Sequence, residues 1–265
     1  MRANERLSRG SVFGDAARDY DAVRPGYPMR LVDAVMHRAG LDRQATVLEI
    51  GCGTGQATAA FAPLGCAMLC LEPAPALAAL AAQNMARFPR VQVRTETFEH
   101  ADLEPERFHL VLAATAFHWV DPAVRCAKAA RVLRPTGTMA ILTNTHPKPF
   151  VGFFARVQDV YDAIAPELAH TGDASDTERW AAELHAELVQ SQHFEAVEFL
   201  CERWRKRFTR QEYLTLLNTF SPHRRLPEER RNRLLTAIGK LIDAEYGGYV
   251  EQPYLTRLCM ARKSG

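Results

Sequence analysis

The sequence predicts an α/β domain built on a mostly parallel sheet with helices on both faces. Three observations carry that expectation. Apolar runs of strand length alternate with stretches of helical spacing along the 265 residues, as in a doubly wound sheet. Residues 47–55, Val-Leu-Glu-Ile-Gly-Cys-Gly-Thr-Gly, carry an apolar strand into glycines at 51, 53 and 55. A second apolar run, 67–71, ends in Glu72. Strand, glycine turn, helix, strand and terminal acid form a nucleoside-binding βαβ unit, with the acid placed for ribose hydroxyls.

The turn narrows the choice of nucleoside. Without Cβ atoms, Gly51, Gly53 and Gly55 allow a sharp strand-to-helix turn and let a ligand lie against bare backbone. A dinucleotide fingerprint needs a third glycine at position 56, and that residue is Gln56. Glu49 stands two residues before the first glycine. A carboxylate there would repel a pyrophosphate, whereas S-adenosylmethionine presents an ammonium and a sulfonium and no phosphate. On Glu49, the three glycines and Glu72, the chain resembles the class I S-adenosylmethionine-dependent methyltransferases, of the methyltransferase type 11-like kind. The resemblance implies a Rossmann-like fold of seven strands with an antiparallel last strand, and helical insertions that roof the substrate pocket. It implies S-adenosyl-L-methionine as cofactor and S-adenosyl-L-homocysteine as product. Glu49, Gly51, Cys52, Gly53, Gly55, Glu72 and Pro73 become candidate cofactor residues.

Taken from its start, the chain supplies each element in turn. In 12–28, Phe13, Ala17 and Tyr20 keep helical spacing, and Arg24-Pro25-Gly26-Tyr27-Pro28 stops that helix. Two readings stand: a helix packed on the sheet edge, or a lid whose Tyr20 and Arg24 face the cofactor. The spaced pattern of Phe13, Ala17, Tyr20 and Arg24-Pro-x-Tyr-Pro is similar to the subgroup of trans-aconitate and related small-acid methyltransferases, where the segment covers the methionine end of the cofactor. Tyr27 then falls on the substrate side. Residues 31–39 form an amphipathic helix with Leu31, Val32, Val35 and Met36 inward. A helix is expected to begin at Gln56. Pro73 and Pro75 open the alanine-rich helix 76–88, since proline is tolerated in a first turn.

Val91 to Arg94 alternates as the third strand, and Thr97-Phe98-Glu99 follows it. A loop there lies at the carboxyl end of a strand, where ligands bind. The resemblance makes it the adenine cap, with Thr97 the polar residue and Phe98 covering the ring face; an exposed turn is the other reading. Residues 108–114 are nearly all apolar, as a buried parallel strand should be. They run into Ala114-Thr115-Ala116-Phe117-His118-Trp119. A similar Phe-His-Trp occurs in the small-acid subgroup. His118 is the candidate base or hydrogen-bond donor, and Trp119 could wall the pocket and attract the sulfonium. A core aromatic pair beside a structural histidine is the alternative. One departure is His109, where the family usually has Asp. A helix at 123–133, a turn at 134–137 and a fifth strand at 138–143 complete this part, and Leu-Arg-Pro-x-Gly also matches the family.

Beyond residue 146 the pattern predicts helices near 152–165, 180–191, 210–218 and 228–246, a mobile polar loop at 170–179, a sixth strand at 194–206 and a last strand at 253–262. Residues 219–227 break between helices. Within them His223 and Arg224 are candidate substrate residues, and Arg224 or Arg24 could grip a carboxylate bidentately; a solvated charge at a helix end is the plainer account of Arg224. The expected organisation is one domain: lid helices in 1–40, a cofactor core in 41–145, substrate-side insertions in 146–240 and a terminal strand in 241–265.

Composition sets the outer limits. Hydrophobic residues make up 47% and net charge is +2, so no global charge draws the chain to nucleic acid or membrane. The basic run Arg203, Arg205, Lys206, Arg207 and Arg210 reads as a solvated strand edge. No apolar stretch is long enough to span a bilayer, and residues 1–11 lack the apolar core of a secretory signal. The six cysteines include no C-x-x-C pair, which points to reduced thiols, no metal site and a cytoplasmic protein. The expected activity is methyl transfer to a small-molecule acceptor, a carboxylic acid being the leading guess, by a monomer or homodimer. A cofactor-binding protein without transferase activity is the alternative; a nicotinamide oxidoreductase is disfavoured by Gln56 and Glu49.

Overall fold

The computed structural model describes residues 17–169 and 176–265. Phe13 and residues 170–175 of the expected polar loop lie outside them. The chain forms a seven-stranded sheet of order β3-β2-β1-β4-β5-β7-β6. The strands are β1 (Thr46–Ile50), β2 (Ala67–Leu71), β3 (Val91–Arg94), β4 (Phe108–Ala114), β5 (Leu133–Thr145), β6 (Phe194–Thr209) and β7 (Tyr249–Lys263). β1 pairs parallel with β2 and β4, and β4 with β5. β7 runs antiparallel between β5 and β6, as the sequence led us to expect. Strand order reverses at β1 and β4, which places the switch-point crevice beyond their carboxyl ends.

The central strands are apolar on both faces. Leu48, Ile50, Val111 and Ala113 enter one core cluster, while Val47, Leu110 and Leu112 enter the cluster on the opposite face. All of them are 0–3% exposed, the condition for a parallel sheet covered by helices. The helices are α1 (Ala17–Val23), α2 (Met29–Arg38), α3 (Thr58–Phe61), α4 (Pro75–Asn84), α5 (Pro122–Val132), α6 (Phe153–Ile164), α7 (Asp176–Gln190), α8 (Arg210–Asn218), α9 (Ser221–Arg224) and α10 (Glu228–Tyr246). A third cluster joins α6, α8 and α10 to Phe208, Val250 and Tyr254, so the inserted helices own a core of their own.

Several boundaries differ from the sequence expectation. The helix after the glycine turn is only α3, four residues long, because Pro63 and a left-handed Gly65 convert its continuation into a 3-10 turn. The turn expected at 134–137 is an excursion inside β5: Phe108 pairs with Leu133, then Leu110 with Thr138, and Thr136 adopts φ 66°. α7 starts at Asp176 rather than Trp180. The 219–227 break contains the short helix α9. α8 opens with a capping box: Glu212 N–H donates to Thr209 Oγ1 (3.2 Å) and Thr209 N–H to Glu212 Oε2 (2.7 Å). No helix among the described residues is long and apolar enough to cross a membrane.

Candidate functional site

A cavity of about 930 Å³ opens at the carboxyl ends of the parallel strands. Its floor comes from the ends of β1, β2 and β4 and from the loop after β3. One wall comes from α1 and the segment after it, the other from the end of β5, Tyr254 of β7 and the α8–α9 junction. A cavity of this size takes a nucleoside cofactor together with a small second ligand.

The glycine turn is shaped by φ and by close approach. Gly51, Gly53 and Gly55 all adopt positive φ (65°, 61° and 97°). A Cβ on Gly51 would stand 2.7 Å from Ala116 Cβ, so the loop after β4 can cross here only over a glycine. At Gly53 the nearest atoms to such a Cβ are Gln56 Oε1 and the Tyr20 ring, each at 3.5 Å. Tyr20 therefore lies over the turn.

Two carboxyls are sunk into this floor. Glu49 is 0% exposed, and its Oε2 accepts the Thr58 hydroxyl at 2.6 Å. Its Oε1 is buried with no hydrogen-bond partner among the described residues. Burial pushes the Glu49 carboxyl up to about 7, against the lowering effect of the Thr58 and Cys70 hydrogen bonds. Glu72 accepts Gly53 N–H at 3.0 Å and Ala74 N–H at 2.9 Å. It too is raised by burial to about 7, with those two backbone bonds pulling the other way. A crevice holding two buried acids attracts a cation and repels a phosphate.

The lid is fastened at both ends. Asn84 Nδ2 donates to Asp21 Oδ1 and to Thr54 O, both at 2.9 Å, tying α1 to the glycine turn. Arg24 donates from Nε to Thr219 Oγ1 (3.1 Å) and from Nη2 to Thr219 O (3.2 Å). Its guanidinium lies 4.7 Å from the Tyr20 ring centroid and 4.5 Å from that of Phe220. Arg24 thus ties the end of α1 to the α8–α9 junction while lining the cavity. The Tyr27 hydroxyl meets Thr115 Oγ1 at 2.9 Å, and Thr115 itself is left-handed at φ 56°.

Past β3, Thr97 pairs with His100 Nδ1 at 2.8 Å, and Glu99 Oε1 accepts Asp121 N–H at 3.0 Å. Phe98 also lines the cavity, but at 2% exposure it belongs to the sheet core. Past β4, His118 is exposed and Trp119 half-buried, with ring centroids 4.7 Å apart. Cys52, Pro73, Ala114, Thr115, His118 and Trp119 all lie on the wall.

Three anticipated residues are not brought to the cavity. A Cβ on Gly55 would point at Met85 Cε (3.3 Å), so that glycine serves packing between the turn and α4. His223 is buried among the roof helices, where its Nε2 meets the Tyr161 hydroxyl at 2.8 Å. Arg224, at the end of α9, does not line the cavity, whereas Phe220, Ser221 and Pro222 at its start do. Asn144, His146 and Tyr254 line it unannounced. The first two sit at the end of β5, where the carboxyl-end rule could have found them. Tyr254 is reached through the register Thr145↔Leu255, which no pattern within β7 reveals.

Known proteins agree with this geometry. A family model described as a methyltransferase domain matches residues 48–141. A methyltransferase-like protein of Schizosaccharomyces pombe, itself uncharacterized, is 27% identical over 230 residues, 84% of this chain and 82% of its own. The demethylmenaquinone methyltransferase of Tropheryma whipplei is 30% identical over 167 residues, 60% of this chain and 67% of its own. The chain belongs to the class I S-adenosylmethionine-dependent methyltransferases. A candidate Type II methyltransferase from Anaeromyxobacter dehalogenans shares the fold at TM-score 0.62 and 24% identity, across 91% of this chain and 97% of that one.

Proposed function

We propose that this chain transfers a methyl group from S-adenosyl-L-methionine to a small-molecule acceptor, with a carboxylic acid of the trans-aconitate type as the leading candidate. The observation that carries the reading is Glu49 Oε1, buried at the head of the glycine turn with no partner among the described residues. A buried acceptor without a donor is costly, and an ammonium entering the cavity would satisfy it. Bound S-adenosylmethionine supplies the activated methyl, carried on a sulfonium.

The remaining work belongs to the protein. Glu72, held by Gly53 and Ala74, keeps lone pairs for ribose hydroxyls. Thr97 and Glu99 border the adenine end, Phe98 backs it from the core, and Ala114 and Thr115 pass beneath the reacting centre. Tyr20 and Arg24 close the methionine end and exclude water. Tyr27 and Trp119 wall the acceptor, and orienting it in line with the methyl is the main catalytic task. His118 is exposed on the cavity wall and is the candidate base for an acceptor proton, although a carboxylate acceptor has none to lose at neutral pH. In this reading residues 41–145 form the cofactor core and 146–240 the acceptor side.

Melting the purified protein with adenosylhomocysteine and, separately, with NAD tests the cofactor assignment; stabilisation by NAD alone overturns it. Transfer of labelled methyl to a library of small acids tests the acceptor class. A His118→Ala variant with full turnover on the acceptor so found would remove His118 as a base.

A further inference from the structure

We infer that the Tyr254 hydroxyl is a recognition group for the methyl acceptor, and that this end of the cavity takes a neutral or anionic acceptor bearing an oxygen in preference to an amine cation. The inference rests on the methyl-transfer reading above and deepens it.

Tyr254 lines the cavity at 4% exposure, and its hydroxyl is buried with no partner among the described residues. Buried hydroxyls are normally paired, and leaving one unpaired costs stability. The ring is also fixed. It stacks on Trp204 (4.8 Å, 22°) and contacts His146 (5.7 Å, 31°). Trp204 Nε1 in turn donates to Thr256 Oγ1 at 2.8 Å, and Thr256 Oγ1 to Asn144 Oδ1 at 2.5 Å. A hydroxyl on a locked ring cannot swing away to find another partner. It is a preorganised, unpaired hydroxyl on a residue that lines the cavity.

The charge distribution says what that occupant is. Every carboxylate on the wall, Glu49, Glu72, Glu96, Glu99 and Asp121, comes from β1 or from the loops after β2, β3 and β4. The wall supplied by β5, β7, α8 and α9 contributes none. The fixed charge beside it is the cation Arg24, close enough to favour ionisation of Tyr254. Burial acts more strongly and pushes the Tyr254 phenol up, so it stays an O–H donor at neutral pH. An ammonium on the acceptor could donate to the phenol oxygen but would meet the like charge of Arg24 here. A hydroxyl, carbonyl or carboxylate oxygen would meet the hydrogen bond that Tyr254 lacks.

Three aromatic probes that differ in one group test this: benzoate, benzyl alcohol and benzylamine. Each is titrated into the adenosylhomocysteine complex and followed by calorimetry and by ligand-observed NMR. The expected result is binding of benzoate and benzyl alcohol, with benzylamine about tenfold weaker or absent. In Tyr254→Phe the two oxygen probes should weaken about tenfold, the value of one buried hydrogen bond. Adenosylhomocysteine affinity should be unchanged and the melting temperature equal or higher, since an unpaired hydroxyl has been removed. Benzylamine binding as tightly as benzoate, no binding of either oxygen probe, or oxygen probes indifferent to Tyr254→Phe would overturn the inference. Failure of adenosylhomocysteine to bind the wild-type protein would instead remove the methyl-transfer reading, and this inference with it.

Discussion

The two walls of the cavity are held by different means. On the wall built by the glycine turn, position is set by the main chain. Three glycines with positive φ shape the turn, and two backbone N–H groups hold Glu72. On the wall built by β7, α8 and α9, position is set by side-chain packing. α6, α8 and α10 share a core with Tyr254, and Arg24 is wedged between Tyr20 and Phe220. Main-chain demands restrict residue type at fixed spacing. Packing demands only volume and polarity, and many sequences satisfy it.

The strongest test of that contrast compares two glycines of the turn. Valine at Gly51 would combine left-handed strain with a Cβ 2.7 Å from Ala116 Cβ. We expect Gly51→Val to lose about 3 kcal/mol or more of stability and all adenosylhomocysteine binding. Gly53→Val meets nothing nearer than 3.5 Å. It should stay folded, with a smaller loss, yet fail to bind because its side chain enters the cavity. Denaturant melts and calorimetry on both variants decide it. Equal stability loss at the two positions would show that the crossing of the β4 loop is not what holds Gly51.

The same contrast explains what was readable from residues alone. The parallel strands were legible because each leaves a periodic signal, and the antiparallel last strand through the family resemblance. Glu49, Glu72 and Tyr20, picked out by their spacing, come together on one cavity. Gly55 misled, since glycines for a ligand and glycines for helix packing look alike in sequence. His223 and Arg224 lie off the cavity because the short helix α9, which left no signal in the sequence, brings only its first residues to the wall. Tyr254 was missed because its place depends on pairing with β5, more than a hundred residues earlier.

Next in size is Glu72→Ala, which should weaken adenosylhomocysteine binding by about 1–3 kcal/mol through unpaired ribose hydroxyls. Gly53 and Ala74 N–H groups lose their acceptor as well, so the turn should also loosen. Unchanged affinity would take Glu72 out of the site.

A pH dependence of comparable but smaller effect follows from Glu49. Its folded carboxyl titrates near 7, above the ordinary value of 4.5. The folded chain therefore holds a proton there between about pH 4.5 and 7 that the unfolded chain has released. Stability from this group is fully present below pH 4.5 and is lost as pH rises through 7. Glu49→Gln removes the titration, so the variant should gain on the wild type across that window, by up to about 3 kcal/mol. A cationic ligand favours the ionised form, so cofactor binding should release protons at pH 6.5. Calorimetry in buffers of different ionisation enthalpy measures that release, and it should be smaller in Glu49→Gln. Equal proton release by the two proteins would show that Glu49 does not face the ligand charge.

The smallest effect expected is at Arg224, and it bears on the acceptor wall. Arg224 and Arg24 are both arginines near α9, and both were candidates for gripping an acceptor carboxylate. Arg24 lines the cavity, donates twice to Thr219 and faces two aromatic rings. The Arg224 guanidinium makes no hydrogen bond or ion pair among the described residues, and only its carbonyl accepts, from Arg231. Arg24→Ala should therefore loosen the lid, speeding adenosylhomocysteine dissociation about tenfold for a loss near 1.4 kcal/mol. Arg224→Ala should stay within about 0.5 kcal/mol of wild type in stability and leave both that rate and benzoate binding unchanged. Stopped-flow dissociation and the probe titration read the two variants side by side. If Arg224→Ala abolished benzoate binding while Arg24→Ala did not, α9 would have to turn its charged face inward when ligands enter. The wall built by α8 and α9 would then be rebuilt on binding rather than waiting preformed.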